Sequence, residues 1–308
     1  MKTILKVAKL NNRHTLPIIR DYVLFDKNTA CSTDLEVYAV ESGAWYFDKP
    51  TIVPIVLLKT ALAMAKKPDW KGDTLNGVKL ESEKSALDYP LNLADNHAFI
   101  PVAFNGILSD MLKKVKPAMS YKDIRYYLKG ILFDGNMVAT NGHRLHIVND
   151  AFNKIEPKIV PRQVFDLIEP TEIAFSENYC KVNYKDGVIY SKLIEGKFPD
   201  YDRVIPSIKL DTFSTYAKGS YADLSKIVAI NKANNSISGA VLINEEGELE
   251  SCGIKIPCFG KMPYAFCVNA QHLKDAVEFG TNLHFTGKND SVLITGEYFK
   301  AVVMPMRI

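Results

Sequence analysis

The chain sets short runs of alternating apolar and polar residues beside helix-like stretches, and it does so three times. Positions 132–148 read "LFDGNMVATNGHRLHIV" and positions 24–40 read "LFDKNTACSTDLEVYAV". Both open on Leu-Phe-Asp, turn at a polar pair, and pass through Thr140-Asn141 or Thr33-Asp34 into an alternating apolar run, the pattern of a half-buried strand. The copies lie 108 residues apart, and other landmarks keep nearly that interval. Pro54 in "TIVPIVLLKTAL", Pro161 in "KIVPRQVFDLI" and Asn269 in "AFCVNAQHLKDAV" each stand where an apolar helical run begins. Proline and asparagine both start helices. "HAFIPV", "YDRVIPS" and "AVVMPMRI" close the three copies, each a short β-rich run that reaches a proline. Self-similarity at a constant interval marks repeated structural units.

Each repeat is expected to hold a helix, a hairpin, a second helix after Val-Pro or Val-Asn, and then several short strands. In the second copy those strands are "TEIAFS", "YCKVNY" and "GVIYSKLI", alternating and rich in β-branched and aromatic residues. Ser120-x-x-Asp123 and Ser220-x-x-Asp223 read as near capping boxes and predict helices over the residues that follow. Antiparallel sheets with segregated helices make an α+β class. Over 308 residues this predicts three domains, 1–110, 111–206 and 207–308, each near the commonest domain size.

Apolar residues at 47% and charged residues at 24% are the composition of a soluble globular protein. Cys31, Cys180, Cys252, Cys258 and Cys267 form no Cys-x-x-Cys pair, which argues for reduced, mostly buried thiols in the cytoplasm rather than disulfides or zinc. Lys6 and Lys9 interrupt the apolar core that a signal peptide needs. The longest apolar run, "IVPIVLL", is too short to cross a bilayer. No membrane partner is expected.

The net charge of +3 says little, so placement must decide. Lys2, Lys6, Lys9 and then Arg13 fall on one helical face, opposite Ile4, Leu5 and Ala8. Lys122, Arg125, Tyr126 and Lys129 line up in the same way if 120–129 is helical, with Ile124, Tyr127 and Leu128 inward. One basic stripe is ordinarily a solvated face, whereas two at matching places in a repeat point to phosphate contact. The third copy offers only Lys226 and Lys232.

Catalytic signals are missing. His143 and His146 are three apart on a predicted strand and would face opposite sides. His14, His97, His272 and His284 lack neighbours at ligand spacing. No Gly-x-Gly-x-x-Gly, Walker or Gly-x-Ser-x-Gly motif occurs. "NEEGELE" at 244–250 reads as a hairpin turn about Gly247 rather than a metal site. No catalytic residue, metal or cofactor is expected.

"DIRYYLKGILF", "ATNGHRL", "SKLIEGKFPDYDRVIP" and the terminal "VVMPMRI" closely resemble the second domain and C-terminus of the bacterial β sliding clamp, the DNA polymerase III beta subunit. "RHTLPIIRDYVLF" and "STDLEV" resemble its beginning. The resemblance implies three tandem clamp-type domains and a homodimer ring of six, antiparallel sheets outside and helices lining a hole. It implies a processivity factor that encircles double-stranded DNA and holds the replicative polymerase and an ATP-driven clamp loader through short peptide motifs. Among the basic residues it favours Arg13, Arg125 and Tyr126 for DNA. It maps a partner-peptide cleft onto Leu128, Thr140, Gly142, His143, Arg144, Leu145, Pro199, Arg203, Val204, Val302, Met304 and Met306, and a dimer contact onto Ala229 and Ile230. Size agrees with two chains: treating each domain as a sphere roughly 34 Å across, three leave a gap of roughly 5 Å and six a gap of roughly 34 Å. Departures are Asp202 where a basic residue is usual, Asn141 where Asp is usual, and a trimmed strand region in the first domain, a compact form that a phage or mobile element could encode. Two rivals are a DNA-acting enzyme that uses the same basic faces, and a clamp-derived interaction protein that no longer encircles DNA.

Overall fold

The computed structural model describes residues 1–11, 14–90, 97–217 and 219–307. The first repeat runs α1 (Lys2–Ala8), α2 (Pro17–Asp21), β1 (Tyr22–Thr33), β2 (Val37–Pro54) and α3 (Ile55–Ala63), then β3 (Trp70–Lys71), β4 (Thr74–Leu75) and β5 (Val78–Lys79). A two-residue strand, β6 (Ile100–Pro101), precedes the second: α4 (Leu108–Val115), β7 (Gly130–Phe133), β8 (Met137–Thr140), β9 (Arg144–Val148), β10 (Lys158–Pro161), α5 (Arg162–Leu167), β11 (Pro170–Phe175), β12 (Tyr179–Tyr184) and β13 (Gly187–Lys192). The third holds β14 (Phe213–Tyr216), α6 (Ser220–Ala233), β15 (Ala240–Ile243), β16 (Glu248–Ser251), β17 (Ile254–Pro257) and β18 (Phe266–Asn269). It ends with α7 (Ala270–Val277), β19 (Asn282–Phe285), β20 (Val292–Gly296) and β21 (Phe299–Val303). The helix, hairpin, helix, strands order expected of each repeat is therefore present.

The three helix-starting residues behave alike. Pro54, Pro161 and Asn269 are the N-caps of α3, α5 and α7, all with φ between −57° and −71° and extended ψ. Asn269 does by hydrogen bond what the prolines do by ring geometry, its side chain accepting from the His272 N–H at 3.1 Å. Gly247, at φ 82°, makes the turn between β15 and β16 as expected.

Two helix expectations need correction. Residues 120–129 form a loop with a single 3₁₀ turn at Tyr126–Leu128 and no α-helix: the Ser120 hydroxyl accepts from the Asp123 N–H and the Asp123 carboxylate from the Arg125 N–H, at 3.1 and 2.9 Å. These side chains thus satisfy the backbone within a turn instead of capping a helix. A backbone hydrogen bond from Ser120 to Leu128 closes the loop, and Ile124, expected inward, is 95% exposed. The first helix of this repeat is instead α4, where Leu108, Leu112 and Val115 are buried at helical spacing. Pro117 sits just past its end, where a proline cannot continue a helix. At α6 the helix is right and the cap is not. Gly219, at φ 90°, is the N-cap, and Ser220 lies inside the first turn with its hydroxyl donating to the Ala217 carbonyl.

The chain forms two compact units. The first, residues 1–102 with 160–193, holds a six-stranded sheet in the order β1-β2-β13-β12-β11-β6, with β3-β4-β5 as a separate small sheet. Its core contains Phe25, Ala39, Ile173, Val182 and Ile189. The second, residues 103–159 with 194–308, holds an eight-stranded sheet in the order β10-β7-β8-β9-β21-β20-β19-β14 and a four-stranded sheet β17-β16-β15-β18. In each unit the sheet runs from one repeat into the next. Strand β2 pairs with β13, and β9 pairs with β21. None of the five cysteines is in a disulfide: Cys180 and Cys267 are buried, Cys31 and Cys258 half-buried, and Cys252 exposed.

Candidate partner cleft and basic surfaces

The sheet of the second unit builds a cleft from the inside out. Leu128, Leu132, Val138, Leu145, Ile147, Ile159, Phe198, Leu293 and Val302 pack as one apolar cluster, with Ile205 half-buried against it. Ile205 also lines an open cavity of about 520 Å³ together with Arg203, Val204, Pro206, Met304, Thr286, Asp290 and Ser291. Of the expected cleft residues, Arg203, Val204 and Met304 thus meet in one cavity. Leu128, Leu145 and Val302 do not offer it a wall: each is at most 2% exposed and belongs to the core behind it. Pro199 is exposed and is not among the lining residues. Sequence reading missed Thr286, Asp290 and Ser291, since nothing local ties the β19–β20 turn to the "RVIP" segment.

The 140–145 turn braces this site. The Thr140 hydroxyl donates to the Arg144 carbonyl at 2.7 Å and accepts from the Gly142 N–H at 3.1 Å. Asn141 Oδ1 accepts from the His143 and Arg144 N–H groups at 3.0 and 3.1 Å. An Asp would accept in the same way, so the departure at Asn141 leaves the turn intact. Gly142 sits at φ 83° with the Arg125 guanidinium 2.7 Å from where a Cβ would stand, a position that requires glycine. The Met304 N–H donates to the His143 carbonyl at 3.0 Å, and the Met306 N–H to the Cys267 carbonyl at 2.8 Å, which fixes the terminal segment beside the turn. Arg144 corrects an expectation. Its guanidinium is 2.5 Å from the Asp275 carboxylate and also donates to the Pro117 carbonyl, with the side chain only 9% exposed. Arg144 joins the end of α4 to α7 instead of awaiting a ligand.

The basic candidates divide between units. In the first, Lys2, Lys6 and Lys9 are exposed on or just after α1 while Ile4, Val7 and Ala8 are buried. Buried Glu41 anchors this helix by accepting from the Thr3 N–H and the Tyr184 hydroxyl, both at 3.1 Å. Lys6 Nζ donates to the Leu167 carbonyl at 2.9 Å. Arg13 lies outside the described residues. In the second unit, Lys122, Arg125, Tyr126 and Lys129 belong to the loop described above, so they share no helical face. Arg125 chelates Asp123 through two hydrogen bonds of 3.0 and 2.7 Å, which holds the Asp123 carboxyl down at about 2. Tyr126 is 55% exposed, its ring against Gly196. The structural counterpart of α1 is α4, which carries Lys113 and Lys114, with Lys116 just after it. These cations were missed, although adding the repeat interval of 108 to Lys6 gives position 114. In α6, Lys226 pairs with Asp223 at 2.8 Å. Ala229 is exposed and Ile230 half-exposed.

Residues 105–200 match the family model of the DNA polymerase III beta subunit, central domain. This segment is similar to the central domain of the β sliding clamps. The beta sliding clamp of Escherichia coli K12 is 31% identical over 138 residues, 39% of this chain and 37% of that protein, so the matched part spans little more than a third of that relative. The beta sliding clamp of Vibrio cholerae is 25% identical over 257 residues, 72% of this chain and 69% of that protein. The crystal structure of a sliding clamp from Bartonella birtlesii bound to griselimycin superposes with a TM-score of 0.76 at 23% identity, covering 100% of this chain and 97% of that one. The whole chain therefore has the clamp fold.

One buried group in residues 105–200 gives a pH dependence. His146 is fully buried, and its Nδ1 lies 2.7 Å from the Lys114 carbonyl. A carbonyl only accepts, so Nδ1 carries a proton, while buried Nε2 has no partner among the described residues and is left bare in the neutral ring. Burial pushes the His146 imidazolium from its usual 6.5 to about 4, and burial beside Arg144 does the same to His272. Between those values the unfolded chain binds protons that the folded chain refuses, so stability falls as pH drops from 6.5 towards 4. For His146 the full loss is roughly 3 kcal/mol. Urea midpoints measured across that window should decline with acid, and His146→Gln should flatten the slope. An unchanged slope would refute the assignment. Among the described residues no three His, Cys, Asp or Glu side chains converge as a metal site, and no helix is long and apolar enough to cross a membrane.

Proposed function

We propose that this chain is half of a DNA sliding clamp, a processivity factor in which two copies close a ring around duplex DNA. The cavity beside Met304 would hold short peptide segments of the replicative polymerase and the clamp loader. The observation that carries this reading is the way the sheets pass between repeats. The front hairpin of repeat one is completed by the last strand of repeat two (β2 with β13), and that of repeat two by the last strand of repeat three (β9 with β21). The front strands of repeat three end at β17, and β5, which stands in repeat one at the place β13 takes 108 residues later, ends its own small sheet. A β17 edge and a β5 edge from a second copy would complete the pattern, and doing so twice closes a two-fold ring. Exposed Ala229 and half-exposed Ile230 on α6 would add to that joint. Three domains sharing continuous sheets in this way fit boundaries near 110 and 206.

DNA contact would come from Lys2, Lys6 and Lys9, from Lys113, Lys114 and Lys116, and from Arg13 and the 120–129 loop, as phosphate contacts with little sequence preference. Such a ring is a tether without catalysis or cofactor, at work in the cytoplasm. Sedimentation equilibrium tests the joint. A monomer–dimer equilibrium at micromolar concentration is expected, shifted towards monomer by Ile230→Asp. Because β5 is only two residues long against six in β13, the dimer should dissociate readily on dilution. A stable monomer would favour the interaction protein that no longer encircles DNA, and a trimer would sink the ring.

A further inference from the structure

We propose that Asp290 makes the partner cleft selective for peptides that carry a basic side chain beside their apolar anchors. This rests on the reading of the cavity as a peptide site. The apolar part of the cavity, Val204, Ile205, Pro206 and Met304, would take apolar anchors. Its charged part is uneven. Arg203 is already paired with Asp200 at 2.7 Å, whereas Asp290 and Asp211, which line the cavity with Lys209, have no cation within ion-pair distance among the described residues.

Of the two acids, Asp290 is the better placed to select a ligand. Its carboxylate accepts from the Thr286 hydroxyl at 3.1 Å, and its own N–H donates to the Gly287 carbonyl at 3.2 Å, so the β19–β20 turn holds it. A carboxylate fixed before binding loses little side-chain entropy when a cation arrives. Lys209, the cation left in the lining, lies between Ile208 and Leu210, which are 54% and 110% exposed. A long, solvated ammonium there would lose much of its freedom on pairing, so an acidic peptide gains less than a basic one.

The test is fluorescence anisotropy with five labelled peptides sharing one short core that bears Gln, Leu and Phe: the core alone, and the core with Lys or with Glu added at either end. Against wild type, Lys at one end should bind roughly threefold to fivefold more tightly than Glu, as expected for a partly exposed ion pair. Added salt should shrink the difference. Asp290→Asn keeps an acceptor for Thr286 and should erase that difference, while Asp211→Asn should leave most of it. Equal affinity of the Lys and Glu peptides for wild type, with the unextended core binding, would overturn the selectivity and spare the cleft. Failure of every peptide to bind would overturn both. Persistence of the preference in Asp290→Asn, checked for an unchanged melting temperature, would also overturn the assignment.

Discussion

Arg144→Ala is expected to destabilise the second unit by about 3–5 kcal/mol, the range for removing one partner of a buried ion pair. Asp275 would keep its charge with its side chain only 13% exposed and, among the described residues, would retain only the Gln271 amide, which donates to Oδ1 at 2.6 Å. The Pro117 carbonyl would lose a donor as well. Thermal unfolding of Arg144→Ala should show a large fall in the transition midpoint, and Asp275→Asn a smaller one, since an amide still accepts from the guanidinium. A normal melting temperature combined with lost peptide binding would instead return Arg144 to the role the motif suggested, a direct peptide contact.

Leu145→Asp and Met304→Asp should part company, although both residues belong to the same expected cleft. Leu145 is 2% exposed and faces Val302 across the β9–β21 pairing. A carboxylate there has no partner and should cost at least about 4 kcal/mol, enough to unfold the unit or leave it insoluble. Met304 is 42% exposed, so Met304→Asp should change stability by no more than about 1 kcal/mol. It should nevertheless weaken peptide binding at least about tenfold by placing charge among the apolar anchors. Circular dichroism and peptide titration on the two variants separate the outcomes. A folded Leu145→Asp protein, or a Met304→Asp protein with full peptide affinity, would contradict the placement of wall and floor.

The repeats were legible because their signals are local. Pro54, Pro161 and Asn269 mark helix starts through their own geometry, and the Leu-Phe-Asp hairpins alternate in plain view. The 120–129 error has the same origin. Ser120 and Asp123 accept backbone N–H groups in either a helix cap or a turn, so the residues alone do not choose. The repeat interval does choose, and it points to α4. The cleft was half legible. Motif residues identified the region, but whether Leu145 is floor or Val204 is wall depends on strands paired from far along the chain. The Arg144–Asp275 pair joins residues 131 apart, and no spacing rule reaches that distance. Asp290 was invisible for the same reason.

The claim that two copies encircle DNA is tested most directly by topology. Labelled protein is loaded onto nicked circular plasmid, separated from free protein by gel filtration, and the plasmid is then cut once with a restriction enzyme. A ring that holds DNA by enclosure should co-elute with the circle, leave after linearisation, and remain on linear DNA whose ends are blocked by bound protein. Equal retention on circular and open-ended linear DNA would mean ordinary binding to the duplex and would contradict the ring.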